Sequence, residues 1–370
     1  MRCGSRRETA KDFRSRDKPT VMATDAGAHE ADGEVERLLS VTPGDTEKPD
    51  DVTFARNVFL PLSTACVNSC DYCAFYDEPG EAKLMSPEEV RETLERGAQA
   101  GCTEALFSFG TRAETYPSVR DELGAMGYED TLDYLYDCCV EALELGILPH
   151  TNAGVMTYDE IERLAEVNAS MGLMLETTAS VGAHEGYATK KPERRLRAIR
   201  DAGRAGVPYT TGILVGIGET PHDRAESLLA VRDIHEEYGH IQEVIIQNVV
   251  PNERSDYERP SADTVRRTVA MARFALPDEV EVQVPPNLST DLPSLVHSGA
   301  GDLGGVSAVT DDYINPDYDW PAVERLCDVA DEAGAELSER LPVYPRYVEQ
   351  GWLSDRVEEA VAGVEPVGTD

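Results

Sequence analysis

The chain has 370 residues, 41% of them apolar, with 34 basic against 70 acidic side chains and a net charge of −36. That length can bury the core of one large α/β domain or of two modest ones, and the apolar share is too high for a disordered chain. The negative surface repels nucleic-acid phosphate and anionic lipid, and no run approaches the roughly eighteen apolar residues of a membrane span, so neither a general nucleic-acid binder nor a membrane protein is expected.

Only six of the bases are Lys. Many carboxylates with little lysine suit concentrated salt, where counterions screen self-repulsion, and a halophilic cytoplasm is the expected location. Eight cysteines are too few and too scattered for a disulfide scaffold. Residues 1–50 show no helical or strand period and read as a mobile tail, with Met22 an alternative start. The barrel domain and a C-terminal extension are assigned to 51–370.

From Asn57 short apolar runs alternate with helical periods. The expected strands are Val58–Leu62, Glu104–Phe109, Leu148–Asn152, Met171–Glu176, Tyr209–Val215, Glu243–Val249, Glu281–Val284 and Leu303–Val306. Ser86-Pro87-Glu88-Glu89 is a capping box that starts a helix. Leu228, Val231, Ile234 and Tyr238 share one helical face, and Gly206 suits a left-handed helix end. Eight such units predict a (β/α)8 barrel of TIM type, closed or, because the last strands are short, incomplete. The rival, an open doubly wound sheet, lacks a G-x-G-x-x-G turn at its first helix.

The chemistry is concentrated after the first strand, where Cys66, Cys70 and Cys73 stand at C-x3-C-x2-C. A structural zinc site wants a fourth ligand, and an electron-carrying 4Fe-4S cluster wants four cysteines; neither is offered nearby. Three thiolates hold three irons of a cubane and leave the fourth open. Cys102, Cys138, Cys139 and Cys327 read as small apolar packing residues, and Cys3 lies in the tail.

This spacing, with Tyr72 before the last cysteine, resembles the radical S-adenosylmethionine (SAM) superfamily. The resemblance implies that SAM chelates the open iron and is split to a deoxyadenosyl radical, the protein supplying orientation and dryness. Gly212-Ile213-Leu214-Val215-Gly216-Ile217-Gly218-Glu219 is similar to the superfamily segment that lies against adenine, which puts Gly212 and Gly216 at the cofactor. Where the superfamily has Gly-Gly-Glu to receive the SAM amino group, only Gly110 corresponds, followed by Thr111 and Arg112. Glu176 and Arg195 resemble a SAM-contacting pair of the Fe–Fe hydrogenase maturases.

Within the superfamily, Arg56–Leu62, Leu148–Gly154, Gly172–Glu176, Pro208–Thr220, His240–Asn248, Val284–Leu288, Asp302–Ser307 and Asp312–Pro316 resemble the CofG-type family of deazaflavin-forming lyases. Val249-Val250-Pro251-Asn252-Glu253 departs from that family's pattern. The resemblance implies a small-molecule substrate made from a hydroxybenzyl group and a ribitylaminouracil. It also implies a CofH-type partner that supplies the substrate, and an electron donor such as ferredoxin or flavodoxin. Asn152, Gln247, Asn248, Gln283 and Asn287, at or near strand ends, are expected to meet the uracil edge and ribityl chain. His150 is the expected general base, Glu243 the second choice, and Tyr313 and Asn315 are expected to close the mouth. The CofH-type partner itself, a tyrosine lyase of thiazole synthesis, and a non-catalytic iron–sulfur or zinc protein are the competing readings.

Overall fold

The computed structural model describes residues 25–366 and 368, except 79 and 256. Eight parallel strands close on themselves: β1 (Asp51–Leu60), β2 (Glu104–Ser108), β3 (Leu148–Asn152), β4 (Ser170–Gly172), β5 (Tyr209–Val215), β6 (Ile241–Asn248), β7 (Glu281–Gln283) and β8 (Asp302–Val306). Each pairs with the next, and β1 pairs with both β8 and β2, so the barrel is complete. Inward positions on alternate residues carry Asn57 and Phe59, Glu104 and Leu106, and His150 and Asn152, all lining one lumen. Outward positions such as Val58, Leu60, Ala105 and Phe107 are fully buried against the helices.

Local signals act where expected. Ser86 accepts the Glu89 amide, and the Glu89 carboxylate accepts the Ser86 amide at 2.7 Å, starting the helix Pro87–Gln99. Gly206, at φ 72°, ends the helix Pro192–Ala205. Two strands differ from expectation by more than two residues at an end. β1 begins seven residues early, because its first half is paired on the side where β2 has not yet begun. There a ninth strand, β9 (Glu336–Glu339), joins Asp51–Phe54. β4 is short, since Glu176 takes a left-handed φ of 68° and bridges Ile213 alone.

The tail expected over 1–50 is corrected from residue 25 onward. Asp25–Ser40 is a helix that packs Val35 and Leu38 into the main core against the helices Pro221–Tyr238 and Ala262–Ala275. Its sparse apolar residues gave no visible period. Residues 1–24, including Cys3 and Met22, lie outside the described residues. After β9 the extension crosses the amino-terminal end of the barrel: Arg340 N donates to Phe54 O, and Gln242 Nε2 donates to Pro342 O at 2.9 Å. Among the described residues no helix is long and apolar enough to cross a membrane.

Candidate active site

The carboxyl ends of the strands open on a cavity of about 340 Å³. It is lined by Cys66, Cys70, Tyr72, Cys73, Gly110, His150, Asn152, Glu176, Arg195, Gln247, Asn248, Gln283 and Asn287, thirteen of the residues expected from the sequence. Gly212 and Gly216 do not line it. A Cβ on Gly212 would lie 2.4 Å from Ile245 O, and one on Gly216 would meet Val249 and Pro260, so both glycines serve packing; Leu214 faces the cavity between them. Glu219 closes this turn from within, accepting the amides of Gly216 and Ile217 and the Nε–H of Arg224.

The cysteine loop is held from several sides. Val67 N donates to Thr111 O, Tyr116 OH to Cys66 O (3.0 Å) and Tyr187 OH to Ser69 O (2.6 Å). Gly110 is required for this approach, since a Cβ there would lie 2.1 Å from Ala65 O. The departing segment 249–253 also serves the loop: Asn252 Nδ2 donates to Tyr72 O at 3.0 Å. All three thiols are free, and burial pushes that of Cys70 up to about 11 despite the Lys190 ammonium. Burial raises Cys73 as well, so a neighbouring cation stronger than Lys190 is needed to hold the sulfurs of Cys70 and Cys73 as thiolates, as a metal would. Among the described residues no fourth cysteine lines the cavity: Cys102 and Cys139 are buried beside Asn57 O and Asn168, Cys138 is buried on Thr131–Glu144, and Cys327 is on Val323–Ala333. The donor set therefore fits a cluster that takes three protein ligands.

Beside the loop, Glu176 gathers a compact ionic group. Lys190 Nζ lies 2.6 Å from Oε1, Arg195 Nη2 3.5 Å from the same oxygen, and His184 Nε2 2.9 Å from Oε2. Tyr72 OH donates to Oε2 at 3.1 Å and accepts from Lys190 at 2.9 Å. Burial opposes ionisation of Glu176, but Arg195, Lys190 and His184 outweigh it and hold the carboxyl well below its usual range. Arg195 also donates to Met174 O, and its buried Nε has no partner. Two like cations converge on one carboxylate here, so an added carboxylate at this point would be welcome. Sequence reading missed His184 and Lys190; the signal was that two of only six lysines are adjacent, at 190 and 191, after the fourth strand.

Arg112 is turned away, bound bidentately to Glu160 at 2.7 and 2.9 Å. Asn287 donates to Asp312 Oδ2 and Tyr318 O, and Asn248 to Val249 O and Leu288 O; both amides steady mouth loops while facing the cavity. Asn315 lines the cavity, whereas Tyr313 is exposed and touches it only through the Phe59 ring.

His150 departs from its expected role. Ser170 Oγ–H donates to Pro342 O, so Nδ1–H of His150 must donate to Ser170 Oγ at 2.7 Å, leaving Nε2 as a lone-pair acceptor. Burial, with Arg340 behind it, pushes this imidazole down to about 3. That suits a hydrogen-bond acceptor and does not suit the proton acceptor expected from the sequence.

A closed parallel barrel with three free thiols of one loop at its carboxyl mouth, next to a carboxylate clamped by two cations, is the arrangement of a radical SAM enzyme. The Radical SAM superfamily profile matches residues 60–231. Among solved structures, HydG, a maturase of the FeFe-hydrogenase, is similar with a TM-score of 0.65 at 16% identity, covering 92% of this chain and 74% of its own. Methylornithine synthase follows at 0.60 and 15%, covering 90% and 94%. In sequence, the 7,8-didemethyl-8-hydroxy-5-deazariboflavin synthase of Haloarcula marismortui is 54% identical over 93% of each chain. The enzyme of the same name from Methanosphaerula palustris is 55% identical over 84% of this chain and 95% of its own. The chain belongs to the 7,8-didemethyl-8-hydroxy-5-deazariboflavin synthase family, within the radical SAM superfamily.

Proposed function

We propose that this enzyme converts 5-amino-5-(4-hydroxybenzyl)-6-(D-ribitylimino)-5,6-dihydrouracil to 7,8-didemethyl-8-hydroxy-5-deazariboflavin with loss of ammonia, a step of coenzyme F-420 biosynthesis. The observation that carries the reading is the three-thiol loop at the mouth of a cavity rich in uncharged amides, in a chain 54% identical to a synthase of that name.

Cys66, Cys70 and Cys73 would hold a 4Fe-4S cluster, and Glu176, Lys190 and Arg195 the amino and carboxylate groups of SAM. When bound, this pair supplies a deoxyadenosyl radical able to take a hydrogen atom from the substrate. The chain's own residues do the rest by placement. Tyr72 and Lys190 fix the cysteine loop against Glu176. Asn152 and Gln247 offer neutral donors and acceptors, and Asn248 and Asn287 their carbonyl oxygens, to a uracil edge, which carries both kinds of group and no net charge. Val250, Leu106 and Phe59 wall the cavity with apolar surface, which excludes water from a reactive intermediate. The adduct would come from a CofH-type partner, the electron from a ferredoxin or flavodoxin, and the reaction would run in the cytoplasm.

The test is anaerobic incubation of the reconstituted protein with reductant, SAM and the preformed adduct. Deazaflavin fluorescence is expected. Product formed from tyrosine and ribitylaminouracil without the adduct would reassign the chain to the partner's step. No turnover of either by a protein whose cluster responds to SAM would overturn the substrate.

A further inference from the structure

Below the mouth, the lumen ends in a layer of polar side chains that the cofactor has no need of. Glu104 opens β2, next to Asn57 of β1; Gln283 closes β7; His150 stands on β3; and Arg340 enters from the extension beneath. Arg340 is bound beneath this layer. Its guanidinium donates to both oxygens of Asp302 (2.6 and 3.0 Å) and to Leu341 O, and it sits 2.7 Å from Glu243. Gln283 spends its amide hydrogens on Glu243 and Asp302, which fixes its orientation and leaves only its carbonyl. His150 offers Nε2 alone, lodged over Gly172, where a Cβ would lie 3.1 Å from that nitrogen. Asn57 Oδ1 is buried without a partner. Glu104 is 7% exposed, lines the cavity, and among the described residues receives no hydrogen bond or ion pair.

The Gln283 carbonyl, His150 Nε2, Asn57 Oδ1 and the Glu104 carboxyl oxygens are left over on this floor as acceptors. A buried acceptor without a donor is costly, so the complementary ligand is one dense in O–H or N–H groups. The floor lies at the opposite end of the strands from the cysteine loop, so it meets the part of a substrate farthest from the reacting carbon.

We propose that Glu104, with Gln283, His150 and Asn57, forms a polyol subsite that holds the ribityl chain of the substrate, hydroxyl by hydroxyl. This rests on the function proposed above. Burial, opposed by Arg340 and reinforced by Asp302, pushes the Glu104 carboxyl up to about 7, so it can accept from or donate to a hydroxyl. Glu243 and Cys102 are the other titratable groups that feel it. The amino group lost as ammonia sits beside the reacting carbon and is thereby kept near the mouth.

The test compares the full adduct with one whose ribityl chain is replaced by ethyl, using wild type and Glu104→Met. Methionine fills similar space and strands no partner, because Glu104 has none. Wild type should favour the full adduct in kcat/KM by about tenfold or more, as expected of lost hydrogen bonds to an ionisable group. E104M should raise KM for the full adduct by a similar factor and change that for the ethyl adduct far less. Equal handling of both adducts by wild type, a readout that needs no variant, would overturn the subsite. So would an E104M penalty that falls alike on both adducts. A wild type that converts neither adduct would instead remove the function reading.

Discussion

Lys190 Nζ lies 2.6 Å from Glu176 Oε1 and 2.9 Å from the Tyr72 hydroxyl, so one ammonium ties the segment that follows the fourth strand to the loop that carries the cysteines. The binding site and the fold share this contact, and its loss should be felt in both.

Replacing Lys190 by Met leaves Glu176 to Arg195 and His184. Breaking a buried pair costs about 3–5 kcal/mol when one charge is stranded, and the remaining partners should hold the loss near or below the bottom of that range. The sign with pH follows from the depressed carboxyl. Its stabilisation is present above the unfolded value near 4.5 and disappears as pH falls through the folded one. Urea unfolding in high salt should show a gap between wild type and E176Q at pH 7 that narrows below pH 4.5; a gap independent of pH would contradict the ionic group.

Cys66→Ala, Cys70→Ala and Cys73→Ala should each abolish iron–sulfur absorbance after reconstitution and all deazaflavin formation. C102A and C327A should retain both, since neither sulfur lines the cavity. Iron and sulfide analysis of the five variants checks this.

Arg340 holds Asp302 and Glu243 inside the barrel. Arg340→Met should destabilise the protein by about 3–5 kcal/mol, because two buried carboxylates lose their cation. Adding D302N should recover part of that loss. Chemical denaturation of the single and double variants decides it, and additive losses would show that the three do not act as a unit.

Glu104 carries the opposite pH sign from Glu176. Its folded value, about 7, lies above the unfolded one near 4.5, so the carboxyl costs nothing below pH 4.5, and its cost builds as pH rises from 4.5 to 7 and is complete above that. E104Q should exceed wild type in melting temperature at pH 8, and the gap should shrink steadily below pH 7 and close below pH 4.5.

With −36 net charge, the protein should lose thermal stability as salt is lowered, since screening lengths grow from about 3 Å at 1 M to about 10 Å at 0.1 M. Thermal scans across that range check it.

Much of the architecture was readable beforehand because barrel strands are short, apolar and regularly spaced. Leu148–Asn152 and Tyr209–Val215 match their expected limits. The C-x3-C-x2-C loop was equally plain, since its ligands are neighbours in the chain and their chemistry is set by their spacing. What escaped were features made by distant partners. The helix Asp25–Ser40 has few apolar residues, and only its neighbours give Val35 and Leu38 a core to enter. The strand Glu336–Glu339 is polar and exists because β1 leaves an edge open below β2.

The chain by itself determined the class of chemistry: three thiols within eight residues, a tyrosine beside them, and eight strand–helix periods are local properties that no folding partner has to supply. Tertiary structure alone decided how each polar group is used. It joined Lys190 and His184 to Glu176, withdrew Gly212 and Gly216 into packing, and set Arg340 beneath Glu104 and Glu243. It also took from His150 the basicity an isolated imidazole would have. Burial and the field of groups remote in sequence set proton affinity and hydrogen-bond direction, and those distances exist only once the barrel has closed.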